Sequence, residues 1–548
     1  MKDASVTARL DGGILADCFS KIRDNFYNVI DENVHKRVYY GTYPVEYAEP
    51  EFTGKYLDIC ARYYETEGDA RALQKAMTVV DGIEENIREN GHICSYAPGN
   101  DLEWFGIWNH TFTLYGLSRV YEATGDKRVL ALAERAADFL VNLFMGENAP
   151  DILDAINQGS QHISCLHAMC RMYLITRKRS YLDFIEFVLD RCEKSDMNLL
   201  SFDNILALRS KKGIEMLVVY LAVLTYGLMA ERPEAVAAAR RYWQGIRDTQ
   251  IRNTGNGTVV EFWTENGNAH RFMPTEQKPN ETCVAVGWSE LSLSLFFAEP
   301  RAEYLDELER TVFNHMAGSI SNDGRDFAYY QGNYGKKIFR KAEGLYQCCR
   351  YRGYTLFSYL PSFLFYDDGA TLIPALYGAS SYEKDGLSVK EITDYPVSGK
   401  ITLKIENRRA PMALLLRVPA WCQKYTLTQN GAPLSLTPTE GFLTLALAEG
   451  ESEYTLTLDT SPRCERVQID GEDYLSFHAG PLLLALDTHF GGSLDSTLRA
   501  DVTLKPAASP SALVRFLAED VSLVDFSSAG RADPEHDTYT VYVKERKN

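Results

Sequence analysis

Two short motifs in the chain contain residue types that could do metal and sulfur chemistry. The first is Glu281-Thr282-Cys283 in KPNETCVAVGW, and the second is Cys348-Cys349 in GLYQCCRYRGY. Three thiols and one carboxylate form a set that zinc accepts in tetrahedral coordination. However, the motifs lie far apart in the chain, and buried cysteines also pack as small hydrophobic residues. The residue types alone therefore leave two interpretations open, a zinc site or four unrelated side chains.

The charge and the cysteine content restrict the class of protein. The chain has 548 residues and a formal net charge of −18, which disfavours nucleic acid and anionic membrane surfaces as partners. A neutral substrate is easier to accommodate. The N-terminal MKDASVTARLDGG lacks the apolar core of a signal peptide, and no apolar run is long enough to span a bilayer. The 11 scattered cysteines therefore predict reduced thiols in the cytoplasm rather than a disulfide framework.

The elements that must position the two motifs are predicted to be helical hairpins. Similar segments begin at Tyr56, Leu114 and Leu166, and looser copies begin near Leu221 and Leu291. Each segment reads as an apolar helix, a short polar turn and a second, amphipathic helix. The period of roughly 50–65 residues suits a solenoid or a closed toroid of about six hairpins. The long loops at 90–108 and 252–280 favour the toroid, because loops gathered at one mouth can build a site.

The pattern changes from helices to strands near Thr371. Short alternating runs such as ITLKIENRRAPMALLLRVPAW and FLTLALAEGESEYTLTL, separated by turn residues, predict a β-sandwich. We therefore predict a mainly α fold with β structure. An (α/α)6 barrel should occupy residues 21–370 and β-sandwich structure residues 371–548, while residues 1–20 contribute a strand to the sandwich.

The chain resembles glycoside hydrolase family 127, the β-L-arabinofuranosidases, over most of its length. The resemblance depends on the two motifs above and on WNH followed by LYGLSRVYEATGD, from Trp108. It also includes ERTVFNHMAGSISNDGRDFAYY from Glu309, LPSFLFYDDGATLIPALY from Leu360, and the later segments YPVSGKITLKI, LLLRVPAWC and DYLSFHAGPLLLALD. The order of these segments along the chain is more specific than any one of them.

The resemblance implies a zinc- and cysteine-dependent retaining glycoside hydrolase. The zinc ligands would be Glu281, Cys283, Cys348 and Cys349, and Cys348 would also be the nucleophile that forms a thioglycosyl intermediate. A general acid/base is also required, and the family places a glutamate shortly before its Glu-x-Cys motif. Glu261 and Glu265 are both candidates. Glu261 has the better local context, whereas Glu265 has a spacing closer to that of the arabinofuranosidases.

Four further residues are candidates for sugar binding. His110 aligns with a family histidine, His162 is a weaker candidate, and Trp108 and Trp263 could stack on a sugar ring. For His110, a role in helix capping or in the core explains the residue equally well, and the two tryptophans are also suited to simple packing. Two segments depart from the family: RYRG follows the vicinal cysteines, and KKGIEML, from Lys211, stands where a histidine-containing motif is expected. Both departures put arabinofuranose itself in doubt as the sugar.

Two other functions stay open at this point. One is another (α/α)-barrel carbohydrate enzyme, such as an unsaturated glycuronyl hydrolase or a sugar epimerase, whose chemistry needs no thiols. The other is a non-catalytic glycan-binding protein with a closed structural zinc site. A carbohydrate partner is common to all of these functions. The sequence does not fix the oligomeric state, and a homodimer is compatible with it.

Overall fold

The computed structural model of the chain describes residues 8–39, 49–97, 99–100, 102–265, 272–339 and 348–547. Its first part is helical and its second part is built from strands. The helices are α1 (Gly13–Val29), α2 (Glu32–Arg37), α3 (Glu49–Glu67), α4 (Ala70–Asn86), α5 (Gly106–Thr124), α6 (Lys127–Met145), α7 (Ser160–Ile163), α8 (Cys165–Thr176), α9 (Arg179–Glu193), α10 (Gly213–Met229), α11 (Pro233–Thr249), α12 (Thr282–Ala298), α13 (Ala302–Arg310), α14 (Ala317–Ser319) and α15 (Cys348–Tyr359).

Six of these helices form a closed inner ring. Helices α3, α5, α8, α10, α12 and α15 contact one another in that order, and α15 returns to contact α3. An outer helix packs behind each of them: α4, α6, α9, α11, α13 and α1, respectively. Inner helices such as α10 and α12 are buried on nearly all sides, whereas outer helices such as α6 and α11 bury one stripe. The predicted (α/α)6 toroid is therefore confirmed.

Two glycines allow the closest approach within the inner ring. A Cβ atom on Gly54 of α3 would lie 2.1 Å from the carbonyl oxygen of Phe112 on α5. A Cβ atom on Gly116 of α5 would lie 2.5 Å from the carbonyl oxygen of Gly54. Since neither contact tolerates a side chain, these glycines set the distance between α3 and α5.

The strands form three sheets. The strands are β1 (Ala8–Leu10), β2 (Tyr334–Gly335), β3 (Phe365–Asp367), β4 (Thr371–Pro374), β5 (Ser380–Lys384), β6 (Leu387–Thr393), β7 (Lys400–Asn407), β8 (Met412–Arg417), β9 (Tyr425–Gln429), β10 (Ala432–Leu434), β11 (Phe442–Leu447), β12 (Gly450–Leu458), β13 (Pro462–Ile469), β14 (Glu472–Ala479), β15 (Leu482–Asp487), β16 (Thr497–Leu498), β17 (Lys505–Ala507), β18 (Arg515–Ala518), β19 (Val521–Asp525), β20 (Tyr539–Thr540) and β21 (Val543–Glu545).

The first two sheets share one hydrophobic core with the barrel. Their strand orders are β1-β5-β6-β7-β12-β9-β10 and β11-β8-β4-β3. Strand β1 lies before the first helix and pairs antiparallel with β5, Ala8 opposite Tyr382. The third sheet contains β13–β21 with two smaller cores of its own, and the barrel loop adds β2 to its β20.

A buried ion cluster connects the barrel to the second sheet. Arg417 of β8 is fully buried and contacts Asp306 at 2.6 Å and Glu309 at 2.5 Å, both on α13. Tyr395 and Trp421 donate hydrogen bonds of 2.6 and 2.9 Å to the Glu309 carboxylate. Burial raises the pKa of Asp306 to about 6, although the charge of Arg417 acts in the opposite direction.

Candidate active site

The two cysteine motifs meet at one end of the inner ring. Glu281 directly precedes α12, Cys283 lies in the first turn of that helix, and Cys348 and Cys349 begin α15. Since α12 and α15 are neighbours in the ring, four residues that are distant in sequence become adjacent. One ligand atom from each residue lies within 4.8 Å of every other.

The spacing inside this cluster fits a metal ion with tetrahedral coordination. The Cys283 sulfur lies 3.3 Å from both the Cys348 and the Cys349 sulfur, and these last two are 3.9 Å apart. Zinc–sulfur bonds of about 2.3 Å in a tetrahedron require sulfur separations of roughly 3.8 Å. In addition, the second carboxylate oxygen of Glu281 is buried and has no hydrogen-bond partner among the residues that the structure describes. A cation would satisfy it.

The electrostatics of the cluster distinguish one cysteine from the others. Burial raises the pKa of Glu281, Cys283 and Cys349 well above their ordinary values. The thiol of Cys283, followed by that of Cys349, lowers the pKa of Cys348 well below its ordinary value. Cys348 is also the half-buried member of the cluster, whereas the other three are buried. It is therefore the thiolate that is best placed to react with a ligand.

A carboxylate stands next to the cluster without joining it. Glu261 accepts hydrogen bonds from the hydroxyls of Tyr329 at 3.0 Å and Tyr330 at 2.6 Å, and its second oxygen contacts the ammonium group of Lys212. The same Tyr329 hydroxyl is 3.3 Å from the Cys348 sulfur. One hydroxyl group therefore bridges the carboxylate and the reactive thiol.

Backbone strain helps to place this carboxylate. Val260 and Glu261 both adopt the left-handed conformation, with φ of 46° and 74°. The main chain of Glu261 is held by Gly213, whose N–H donates to the Glu261 carbonyl at 2.8 Å. Left-handed residues other than glycine cost free energy and are concentrated at functional sites.

A buried ion pair on α3 acts on the Cys348 thiol. Lys55 and Glu51, one turn apart on α3, form a contact in which both side chains are almost fully buried. The Lys55 charge helps to lower the pKa of Cys348, and the Trp108 side chain is hydrogen-bonded to Glu51. The site thus combines a thiolate, a cationic neighbour and a separate carboxylate.

Comparison with known proteins identifies the family. A model described as the catalytic domain of GH127 β-L-arabinofuranosidase matches residues 22–362, and one for the GH127 middle domain matches residues 371–458. The chain belongs to glycoside hydrolase family 127. The predicted family resemblance is confirmed.

The relatives agree with this assignment. A non-reducing end β-L-arabinofuranosidase from Bifidobacterium longum is 23% identical over 452 residues, which is 75% of this chain. The chain spans 60% of the length of that relative. A solved GH127 β-arabinofuranosidase is 17% identical, with a TM-score of 0.80 over 99% of this chain and 97% of its own. Another, a GH127 β-L-arabinofuranosidase from Geobacillus stearothermophilus T6, is 17% identical with a TM-score of 0.79 over 98% of this chain and 100% of its own.

The other residues suggested by the family resemblance are dispersed. Glu265 is exposed in the turn after Trp263, whereas Trp263 is buried and its indole N–H donates to the Tyr242 hydroxyl at 2.9 Å. Trp108 is buried beside Glu51. Of these three, the structure therefore brings only Trp108 into the surroundings of the cluster.

The two candidate histidines lie in the barrel wall. His110 accepts from the Ile93 N–H at 3.1 Å and lies 2.9 Å from the Ala136 carbonyl oxygen, so both ring nitrogens are engaged by backbone. His162 is buried against the Phe144 ring. Burial lowers the pKa of His110 to about 3 and that of His162 to about 4. His110 is placed as a neutral structural residue without a nitrogen to offer a sugar.

The RYRG sequence, in which the chain departs from the family, supplies two ion pairs that hold α15 in place. Arg350 makes a bidentate contact with Asp326, at 2.8 Å for both bonds, and Arg352 contacts Glu290 of α12 at 2.5 Å. These pairs fix the helix that carries two of the thiols. The sequence reasoning missed Glu51, Lys55, Lys212, Tyr329 and Tyr330, although both tyrosines end a segment that resembles the family.

Proposed function

We propose that the chain is a retaining glycoside hydrolase that releases L-arabinofuranose, or a related sugar, from a β-linked glycoside. The observation that carries this proposal is the single Tyr329 hydroxyl that contacts both the Cys348 thiol and the Glu261 carboxylate. Retaining glycosidases need a nucleophile and an acid/base roughly 5–5.5 Å apart, and groups bridged by one hydroxyl meet that need.

The residues that would hold zinc are Glu281, Cys283, Cys348 and Cys349. When bound, zinc would keep the thiols deprotonated and ordered at neutral pH. The half-buried position of Cys348 favours a catalytic over a closed structural site, since a reacting thiolate must face the ligand. This feature supports an enzyme over a non-catalytic glycan-binding protein, and the converging thiols disfavour a thiol-independent epimerase or glycuronyl hydrolase.

The reaction would then proceed in two displacements. In the first, the Cys348 sulfur attacks the anomeric carbon, the glycosidic carbon–oxygen bond breaks, and Glu261 gives its proton to the leaving oxygen. In the second, the Glu261 carboxylate takes a proton from water while the water oxygen attacks the same carbon and the carbon–sulfur bond breaks. Two inversions at one carbon leave the sugar with its original configuration.

The experiment combines metal analysis with stereochemistry. Purified protein should contain one zinc per chain and hydrolyse an aryl β-L-arabinofuranoside or the glycoside of a related sugar, and NMR should detect the β-anomer first. Initial release of the α-anomer would exclude the double displacement. If the zinc-loaded protein cleaves none of these glycosides, the glycan-binding function becomes the better conclusion.

The cytoplasmic location and the homodimer stay predictions. All 11 cysteines are free thiols. No helix among the described residues is both long and apolar enough to cross a membrane. The cytoplasmic location and the homodimer are not addressed by these observations.

A further inference from the structure

Lys212 is an unexpected neighbour for a general acid. It directly precedes α10, and its ammonium group contacts a Glu261 carboxylate oxygen and lies 5.1 Å from the centre of the Phe262 ring. Its side chain keeps 14% of its accessible surface, so it is shielded but reachable from outside. Lys212 belongs to the KKGIEML segment that replaces a histidine-containing motif of the family.

The contact conflicts with the first step of the proposed reaction. A carboxyl group can protonate a leaving oxygen only if it carries a proton when the substrate is bound. The oxygen that donates the proton must also lie within hydrogen-bond reach of the leaving oxygen. One oxygen of Glu261 accepts from Tyr329 and Tyr330, and the other contacts Lys212. The oxygen beside Lys212 therefore has to be released before it can face the substrate. Another negative charge must draw Lys212 away before the first step.

Besides Glu261, two described carboxylates act on the charge of Lys212, and both are already engaged. Glu215 is buried, and its two oxygens accept hydrogen bonds of 2.5 Å from the Asn157 amide and the Ser160 hydroxyl. Glu281 belongs to the metal cluster. Within the described part of the chain, neither of these two acids is available to replace Glu261 as the partner of Lys212. The compensating charge is therefore best supplied by the substrate.

The position of Glu261 indicates which part of the substrate carries this charge. An acid/base group lies beside the glycosidic oxygen, so its outer neighbours border the aglycone rather than the sugar that is attacked. Resting on the function proposed above, we infer that Lys212 binds an acidic group of the aglycone, and that the substrate is a neutral furanoside attached to a uronic acid. The carboxylate of the uronic acid takes the ammonium group from Glu261, which frees that Glu261 oxygen to face the glycosidic oxygen.

The net charge of the protein does not oppose this inference. The formal charge of −18 is distributed over 548 residues, and salt screens exposed charges beyond about 8 Å at physiological ionic strength. A carboxylate that reaches Lys212 is affected mainly by the ammonium group in contact with it. The local contact therefore decides which aglycone is accepted, and the acidic composition does not.

The experiment compares matched disaccharides with the zinc-loaded enzyme. β-L-Arabinofuranosyl-glucuronic acid and the same sugar attached to glucose differ in the charge of the aglycone, whereas a sulfated glucose analogue has the charge of the uronic acid but a different acidic group. We expect kcat/KM to be at least about tenfold higher for the uronic acid than for glucose, since a factor of ten corresponds to one modest charge contact. A preference for the sulfated analogue over the uronic acid would overturn the assignment of a carboxylate.

Variants identify the residue responsible. Lys212→Gln should lose the preference for the acidic disaccharide, and Lys212→Arg should keep most of it. Lys211→Gln, which removes the adjacent lysine, should behave like the parent. An activated aryl furanoside needs no proton, so Lys212→Gln should change its rate less than that of the acidic disaccharide.

These measurements distinguish a failure of the inference about Lys212 from a failure of the proposed function. If the parent cleaves the aryl furanoside but prefers glucose or shows no preference, the inference is wrong while the proposed function stands. The same holds if Lys212→Gln retains the preference. If the parent cleaves none of the furanosides, the proposed function fails and the inference fails with it.

Discussion

The assignment of Glu261 as the acid/base leads to a prediction that separates catalysis from metal binding. Glu261 contacts Tyr329, Tyr330 and Lys212 and is not one of the four clustered ligand residues. Glu261→Gln keeps the size of the side chain and an oxygen that can accept from the tyrosines. The substitution should therefore leave the zinc content unchanged while it removes both proton donation and proton abstraction.

The expected loss depends on the leaving group. General acid catalysis contributes about 10²–10⁴ in rate, which corresponds to roughly 3–5 kcal/mol in the activation free energy. Glu261→Gln should show a loss of this size in kcat/KM with a sugar aglycone. A nitrophenyl glycoside needs little protonation, so its first step should be almost unaffected while the second step becomes slow. Azide, which needs no base, should then accelerate turnover.

Glu265→Gln is the matched control, since it removes a second carboxylate from the same loop. Glu265 is exposed, so this variant should retain zinc, stability and activity. If it shows the leaving-group-dependent loss and Glu261→Gln does not, the acid/base is Glu265. Parental rates for both variants with an unactivated substrate would refute the proposed mechanism.

Three further outcomes test the metal site, the domain interface and a buried carboxyl group. Cys349→Ser should lose zinc in elemental analysis, whereas Cys170→Ser, a buried cysteine elsewhere in the barrel, should retain it; equal retention would exclude the site. Arg417→Met should lower the free energy of unfolding by about 3–5 kcal/mol in urea titration, because Glu309 is left buried without its cation; an unchanged midpoint would contradict this. Burial raises the pKa of Glu391 from 4.5 to about 8, so the stability it contributes is complete below about pH 4.5 and lost as the pH rises through 8. Glu391→Gln should therefore flatten the dependence of Tm on pH between 5 and 9, and an unchanged slope would contradict the assignment.

The parts of the fold that were predictable are those with local sequence signals. Apolar and amphipathic helices alternate along the chain, so five of the hairpins are readable from segments that begin near Tyr56, Leu114, Leu166, Leu221 and Leu291. The sixth hairpin was not identified, because its inner helix α15 and its outer helix α1 come from opposite ends of the barrel region. Phe26 and Tyr354 meet there with ring centres 5.4 Å apart. A contact between such distant segments leaves no periodic pattern.

The site was predictable only where its residues form motifs. The vicinal cysteines and the Glu-x-Cys sequence are recognisable as a ligand set, whereas Lys212 and Tyr329 are ordinary residues until the ring closes. His110 shows the opposite case. It lies near the start of an inner helix, where a sugar-binding residue would be expected. Its nitrogens are oriented toward backbone groups instead, and side-chain orientation is not encoded in residue type or spacing.

The direction of the inner helices accounts for the location of the chemistry. An outer helix reverses the chain between successive inner helices, so the six inner helices run parallel and begin at the same end of the barrel. Their first turns carry side chains of the candidate site and its surroundings, among them Glu51, Trp108, Glu215, Cys283 and Cys348. Helix N-termini carry partial positive charge, which stabilises thiolates and carboxylates.

The opposite end contains a cavity of about 370 Å³ whose lining includes Arg62, Arg119, Arg171 and Arg352, as expected where helix C-termini converge. The polarity of the ring therefore favours acidic groups and thiolates at one mouth and arginines at the other, and this polarity supports the proposal of Cys348 as a nucleophile at the N-terminal mouth.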